Sequence, residues 1–307
     1  MKLKKLFLLL SAVFCGFCLI SCSNNQKGQQ EAITTSNLVA TTNGSASDTL
    51  LNSLEASLVD GTNLAVYNSF YGPSNTFEET TQKVVEFADT VTICVQNYQT
   101  VYQTQFTGKG WQTTTKHGLY GWGSGVIYYK ALLNDGSYLY KVITNEHVVS
   151  SDNSCVPGEE EYQIYDEKYD INISASLIGT NEENDIAVLC FTSDREYNAV
   201  KFEETDKIKK GSYVIAMGTP IDLEYYNTAS FGLISKITST SIQHDATINS
   251  GNSGGPLFSL NGNLIGINNA KLSGQTSSGS IIEGIFFAIS KQVVIDSVNA
   301  IVKSNEL

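Results

Sequence analysis

Apolar positions along this chain fall mostly in short runs separated by turn-forming residues. Val91–Val95, Gly125–Tyr129, Tyr138–Thr144, Ile186–Phe191, Tyr213–Met217 and Leu264–Ile267 are rich in Val, Ile, Tyr and Thr and are bounded by Gly, Asn and Asp. Runs of this length and composition predict strands. Asn134-Asp135-Gly136, between two of them, predicts a hairpin, because Gly tolerates the positive φ of a tight turn. Helical spacing is confined to two places. Val84, Ala88 and Val91 predict a short opening helix, and Val294, Val298 and Ile301 predict a terminal helix with Ser290 as its N-cap. From Thr100 to Gly121 the chain has turn chemistry and no clear period, which predicts a surface loop. Many short strands without alternating helices argue against a parallel sheet and for a sandwich or barrels.

The N-terminal region reads differently. Lys2, Lys4 and Lys5 precede a continuous apolar run from Leu6 to Ile20, too short for a confident membrane span and patterned as a secretory signal over residues 1–21. The run closes on Leu19-Ile20-Ser21-Cys22, which resembles a bacterial lipobox and predicts lipidation of Cys22. The chain would then be exported and held on the extracytoplasmic face of the cell membrane by its acyl chains. Residues 22–76 are rich in Ser, Thr, Asn, Gln and Gly, and such a segment buries too little to offset its ordering entropy. It reads as a flexible tether, with a transient helix at Leu50, Leu51, Leu54 and Leu58 as a local exception. Residues 77–307 form the expected folded body.

Charge and cysteine usage narrow the partners. The chain has 307 residues and a formal net charge of −12, which opposes binding to nucleic acid phosphates or anionic lipid head groups. Cys15 and Cys18 leave with the signal and Cys22 takes the lipid, leaving Cys94, Cys155 and Cys190. Three thiols allow at most one disulfide. Cys94 and Cys190 lie in apolar runs and read as small core residues, and no metal-like Cys/His spacing occurs. Neither metal nor cofactor is expected.

The string Asn249-Ser250-Gly251-Asn252-Ser253-Gly254-Gly255-Pro256-Leu257 surrounds a serine with glycines. A serine hydroxyl needs a base to become a nucleophile, and backbone N–H groups to hold the oxyanion it generates. Of the three histidines, His147 follows the run Val142-Ile143-Thr144 and can project from a rigid support. His117 lies in the long loop, and His244 belongs to the segment leading to Ser253. Asp185, at the entrance to Ile186-Ala187-Val188-Leu189, is the candidate acid that fixes the imidazole tautomer. The order His, Asp, Ser is that of the chymotrypsin class.

With these residues in hand, the chain resembles the trypsin-like serine peptidases of the Deg/HtrA type. The resemblance rests on Thr144-Asn145-Glu146-His147-Val148-Val149, Asn184-Asp185-Ile186-Ala187-Val188-Leu189 and Gly251-Asn252-Ser253-Gly254-Gly255-Pro256-Leu257. It extends through Gly123-Ser124-Gly125-Val126-Ile127, Ala216-Met217-Gly218-Thr219-Pro220, Asn261–Asn268 and Gly284–Ile289, from about Thr80 to Val302. It implies an all-β fold of two antiparallel six-stranded β-barrels with a C-terminal helix. The first barrel would supply His147 and Asp185, and the second Ser253. The N–H groups of Gly251 and Ser253 would form the oxyanion hole, and Asn268, Asn269 and Ala270 would be an edge strand that pairs with an extended peptide. The family commonly carries a C-terminal PDZ domain, and the sequence ends before one could begin. Regulation through that domain is therefore not expected, and trimer formation is in doubt. Ser230–Ile234 keeps only the outline of the family's loop beside the specificity pocket.

Thr247 and Ile248 are expected to shape that pocket, and since neither is an acid the preference falls on aliphatic rather than basic side chains. The expected function is a serine endopeptidase acting on extracytoplasmic, including misfolded, proteins. The alternatives are a catalytically inactive surface lipoprotein that binds a peptide or protein, and an esterase using the same three side chains. A metalloprotease is excluded because no H-E-x-x-H occurs.

Overall fold

The computed structural model describes residues 53–54, 57–59, 63–204, 208–269 and 284–305. A helix α1 (Phe77–Asp89) opens the body. It begins on a capping box in which Thr76 Oγ1 accepts from the Glu79 N–H while Glu79 Oε2 accepts from the Thr76 N–H. Six strands follow: β1 (Thr92–Thr107), β2 (Gly110–Leu132), β3 (Tyr138–Thr144), β4 (Cys155–Asp166), β5 (Ile171–Asn181) and β6 (Ile186–Ser193). A four-residue helix α2 (Glu146–Val149) lies between β3 and β4. The second set is β7 (Tyr213–Gly218), β8 (Thr228–Ile237), β9 (Ser241–His244), β10 (Pro256–Ser259), β11 (Leu264–Asn268) and β12 (Phe286–Ser290), followed by α3 (Lys291–Asn305).

Each set closes into an antiparallel barrel, in the order β1-β2-β3-β6-β5-β4 and β10-β11-β12-β9-β8-β7. Two six-stranded barrels and a C-terminal helix are the architecture expected from the sequence. The Asn134-Asp135-Gly136 turn joins β2 to β3, with Gly136 at φ +86°.

The continuous apolar runs have a physical reason. In β6, Ala187, Leu189 and Phe191 fill the first barrel with Val95, Ile127, Tyr140 and Ile164. The alternate residues Ile186, Val188 and Cys190 face a second apolar layer, shared with Ile215, Met217, Phe258 and Ile267 of the other barrel and with Val294, Val298 and Ile301 of α3. In β7 the same alternation sends Val214 and Ala216 inside the second barrel and Ile215 and Met217 into the shared layer. Both faces of these strands are buried, so the usual apolar–polar alternation disappears.

Four local expectations need revision. Thr100–Gly121, read as a loop, is the outer part of the β1–β2 hairpin, paired in continuous register from Tyr98↔Leu119 to Thr107↔Gly110. Its Thr, Val, Tyr, Phe and Trp content favours strand, but both faces are largely solvent-exposed, so no burial period marks it. Residues 63–76, read as the end of the tether, are seated on the body. The Leu64 and Val66 N–H groups bond to the Lys130 and Ala199 carbonyls, and Asn68 is buried against Gly262 and Asn263. Leu54 and Leu58 pack against the shared apolar layer, while Leu50 and Leu51 lie outside the described residues. Ser290 directly precedes α3, but its hydroxyl donates to the Ser239 carbonyl. Cys94, Cys155 and Cys190 are all buried and no disulfide joins them, and burial pushes the Cys94 thiol up to about 12. The signal segment, Cys22 and most of the tether lie outside the described residues.

Candidate active site

Strand register brings the first two candidate residues together. β3 and β6 pair with Thr144 opposite Ala187, so the segments leaving β3 and entering β6 run side by side. His147 sits on α2, one turn beyond the strand, held by the buried side chains of Val148 and Val149 and by Asn97 Nδ2, which donates to the Val148 and Ser150 carbonyls. Asp185 closes the turn before β6 in the left-handed region, at φ +54°, a conformation that Asp and Asn tolerate better than most residues. Asn145 Nδ2 donates to the Asp185 carbonyl at 2.8 Å.

His147 Nδ1 lies 2.9 Å from both Asp185 carboxylate oxygens, and the His147 backbone N–H donates to Oδ1 at 3.0 Å. A carboxylate only accepts, so Nδ1 carries the proton and Nε2 is left as the basic nitrogen. The two side chains are 22% and 14% exposed. Asn269 Nδ2 donates to Asp185 Oδ2 at 2.9 Å. The sequence placed Asn269 on a strand expected to pair with substrate; its side chain also reaches across from the second barrel to the carboxylate.

Ser253 lies in a loop whose backbone is tightly constrained. Gly251 has φ +98° and Gly254 φ +84°. A Cβ on Gly254 would stand 2.2 Å from both Ser124 O and Thr144 Oγ1, so the loop lies hard against the first barrel there. The N–H groups of Asn252, Gly254 and Gly255 are bonded to the carbonyls of Asn249, Asn268 and Asn252. The N–H groups of Gly251 and Ser253 take no acceptor among the described residues. These are the two donors an oxyanion would need.

His147, Val148, Ser250, Gly251 and Ser253 line one cleft of about 120 Å³, with Tyr120, Gly121 and Trp122 on its other side. The Ser253 hydroxyl makes no hydrogen bond among the described residues, and catalytic hydrogen bonds are often long before substrate tightens them. A larger cavity of about 480 Å³ opens elsewhere, among Asp89, Asp166, Tyr169, Arg195 and Tyr226. Its lining residues include no serine, cysteine or histidine, whereas the smaller cleft brings Ser253 and His147 together.

The remaining predicted residues are placed as follows. Thr247 is exposed, and its carbonyl accepts from Ser230 Oγ at 2.7 Å. Ile248 is buried in the second barrel's core with Val214, Ile234 and Leu257. Neither lines the cleft. The Asn268 N–H and carbonyl are bonded to Gly255 and Gly254, so this residue supports the serine loop. Ala270 lies outside the described residues. His117 and His244 are remote, His244 being fully buried in β9.

Ser124 is a residue the sequence reading passed over. Its hydroxyl donates to Gly251 O at 2.7 Å and accepts from the Thr219 N–H at 2.8 Å, while its own N–H donates to Ser253 O at 2.8 Å. Thr144 Oγ1 donates to its carbonyl at 2.7 Å. One side chain thus ties β2 to the serine loop and to the end of β7. The glycines at 123 and 125 were the available signal, since glycine inside a strand marks close approach of other chain segments. A Cβ on Gly123 would stand 2.9 Å from Ser253 O.

Two closed antiparallel barrels, with an acid–imidazole pair and a glycine-flanked serine facing one cleft, define the chymotrypsin-like architecture. Residues 123–267 match the family described as trypsin-like peptidase domain. The chain is 34% identical over 220 residues to the serine protease Do-like HtrA of Lactobacillus helveticus, covering 67% of this chain and 50% of that protein. It is 37% identical over 182 residues to the periplasmic serine endoprotease DegP of Escherichia coli (strain K12), covering 56% and 34%. Residues 123–267 are thus similar to the trypsin-like peptidase domain and the chain to HtrA and DegP serine proteases, and it spans about half the length of the HtrA relatives it matches. The crystal structure of the serine endoprotease from Yersinia pestis shares the fold, with a TM-score of 0.52 at 24% identity, covering 76% of this chain and 68% of that one.

Proposed function

We propose that this chain is a serine endopeptidase in which His147, Asp185 and Ser253 act together. The observation that carries the reading is the bond from His147 Nδ1 to the Asp185 carboxylate, with Ser253 in the same cleft. Nε2 takes the Ser253 proton as Oγ attacks a peptide carbonyl, and the Gly251 and Ser253 N–H groups hold the resulting oxyanion. His147 then protonates the leaving amine. Water attacks the acyl-enzyme with His147 again as base, which releases the acid product and returns the proton to Ser253. The Asp185 carboxylate holds the imidazole orientation and stabilises the imidazolium. No step calls for a cofactor.

The proposed setting is extracytoplasmic, with Cys22 lipidated and a tether that ends before the packed residues Leu54 and Leu58, and the proposed substrates are exported proteins that have lost their fold. Periplasmic relatives such as DegP support export. A Ser253→Ala variant should lower kcat by about six orders of magnitude. A fluorophosphonate probe should label wild type at Ser253 and leave the variant unlabelled. Full activity in the purified variant, or labelling elsewhere, would refute the assignment.

A further inference from the structure

Beyond Val101 and Lys116 the β1–β2 hairpin leaves the barrel. β4 pairs with β1 only as far as Val101, and β3 pairs with β2 only from Val126 onwards. The outer arms are therefore a two-stranded ribbon, which is marginal in water without something against it. Among the described residues, β2 pairs only with β1 between Gly110 and Trp122, so its other edge offers unpaired N–H and carbonyl groups.

One face of this ribbon has a distinct composition. Counting by twos along β1, and across the bulge at Tyr120, the pairs on that face are Cys94↔Ser124, Gln96↔Trp122, Tyr98↔Leu119, Thr100↔His117, Tyr102↔Thr115, Thr104↔Thr113 and Phe106↔Trp111. Ser124 directs this face at the Ser253 loop, and Trp122 lines the cleft. The same face ends at the tip in the edge-to-face pair Phe106–Trp111, 66% and 74% exposed. The run from Leu119 to Trp111 spans roughly 27 Å at about 3.3 Å per residue. The chain has no acidic residue between Asp89 and Asp135, although its net charge is −12.

We propose that this hairpin is an exosite for unfolded polypeptide, whose extended backbone pairs with the free β2 edge while its apolar side chains rest on the aromatic face. This rests on the endopeptidase reading and names the substrate feature it selects: a long, extended, apolar segment contiguous with the bond being cut. Continuity with the cleft singles out polypeptide as the occupant, because a chain held along β2 enters the cleft at Tyr120-Gly121-Trp122. Edge pairing supplies sequence-independent affinity and the aromatic face supplies apolar selectivity. The hairpin itself carries no carboxylate, so its outer part adds no repulsion of acidic substrates; Asp152 and Glu161 of neighbouring segments reach its base, at Tyr120 and His117.

The test separates binding from cleavage. In the full chain carrying Ser253→Ala, Phe106→Ser with Trp111→Ser should raise the Kd for a fluorescent, reduced and carboxymethylated unfolded protein roughly tenfold, read by anisotropy. With Ser253 intact, the same pair should leave kcat/KM for a short peptide unchanged and lower it for the unfolded protein. An unchanged Kd overturns the exosite. So does a pair that leaves polypeptide binding intact but abolishes flotation with anionic vesicles or alters the oligomeric state, since the tip would then serve a membrane or a second copy. The binding arm does not depend on catalysis, so a failed endopeptidase reading would show separately, as no cleavage of either substrate.

Discussion

Asn269 and Asp185 come from different barrels, and the Asn269 side-chain amide donates to Asp185 Oδ2 at 2.9 Å. The carboxylate is thus held from its own barrel by the His147 backbone N–H and from the other by an amide. Hydrogen bonds to charged groups are worth about 1.5–3 kcal/mol. Asn269→Ala should therefore lower kcat by roughly ten- to a hundredfold with little change in KM. Steady-state kinetics on a short peptide check this. A rise in KM at constant kcat would instead assign Asn269 to substrate binding.

Ser124 makes the second prediction. Ser124→Ala keeps the volume but leaves the Gly251 carbonyl and the Thr219 N–H without their hydroxyl partner. An unsatisfied buried polar group costs about 1–3 kcal/mol. Urea unfolding should show a loss of about 2 kcal/mol at constant m-value, and kcat should fall if Gly251 serves as the proposed oxyanion donor. Ser124→Thr, which retains a hydroxyl, should recover part of both.

His244 gives a pH dependence. Both ring nitrogens are buried without hydrogen bonds, and burial lowers its pKa from 6.5 to about 4, slightly opposed by the nearby Ala246 backbone and the Asp245 carboxylate. Between those values the unfolded chain binds a proton that the folded chain refuses. This contribution is therefore fully present above pH 6.5 and is lost as pH falls towards 4, up to about 3 kcal/mol. His244→Leu should flatten the slope of stability against pH in that window, measured by urea midpoints at fixed ionic strength. An unchanged slope would remove His244 as its source.

Much of this arrangement could be read from residue order alone. Ile186-Ala187-Val188-Leu189 announced a strand buried on both faces, and the glycines around Ser253 announced a turn that only glycine can make. Strand register lay beyond reach, because it depends on which runs pair. The sequence paired His147 with Asp185 only through the order His, Asp, Ser and the family resemblance; the Thr144↔Ala187 pairing supplies the physical reason that they meet. The Asn269 side-chain bond to Asp185 was not foreseen, since a side chain's target across two barrels leaves no local signature. The hairpin at 98–121 was missed because burial, which gives strands their period, is absent from it.

The apolar layer shared by β6, β7, β11 and α3 has a mechanical consequence. The proposed base and acid, His147 and Asp185, sit on the first barrel and the proposed nucleophile, Ser253, on the second, so turnover should report how squarely the two barrels seat. A slip of an ångström along that greasy seam would part the Ser253 hydroxyl from His147 while the His147–Asp185 pair and every strand stayed intact. Loss of turnover should then precede loss of circular dichroism as denaturant rises, and dilution should restore it without refolding.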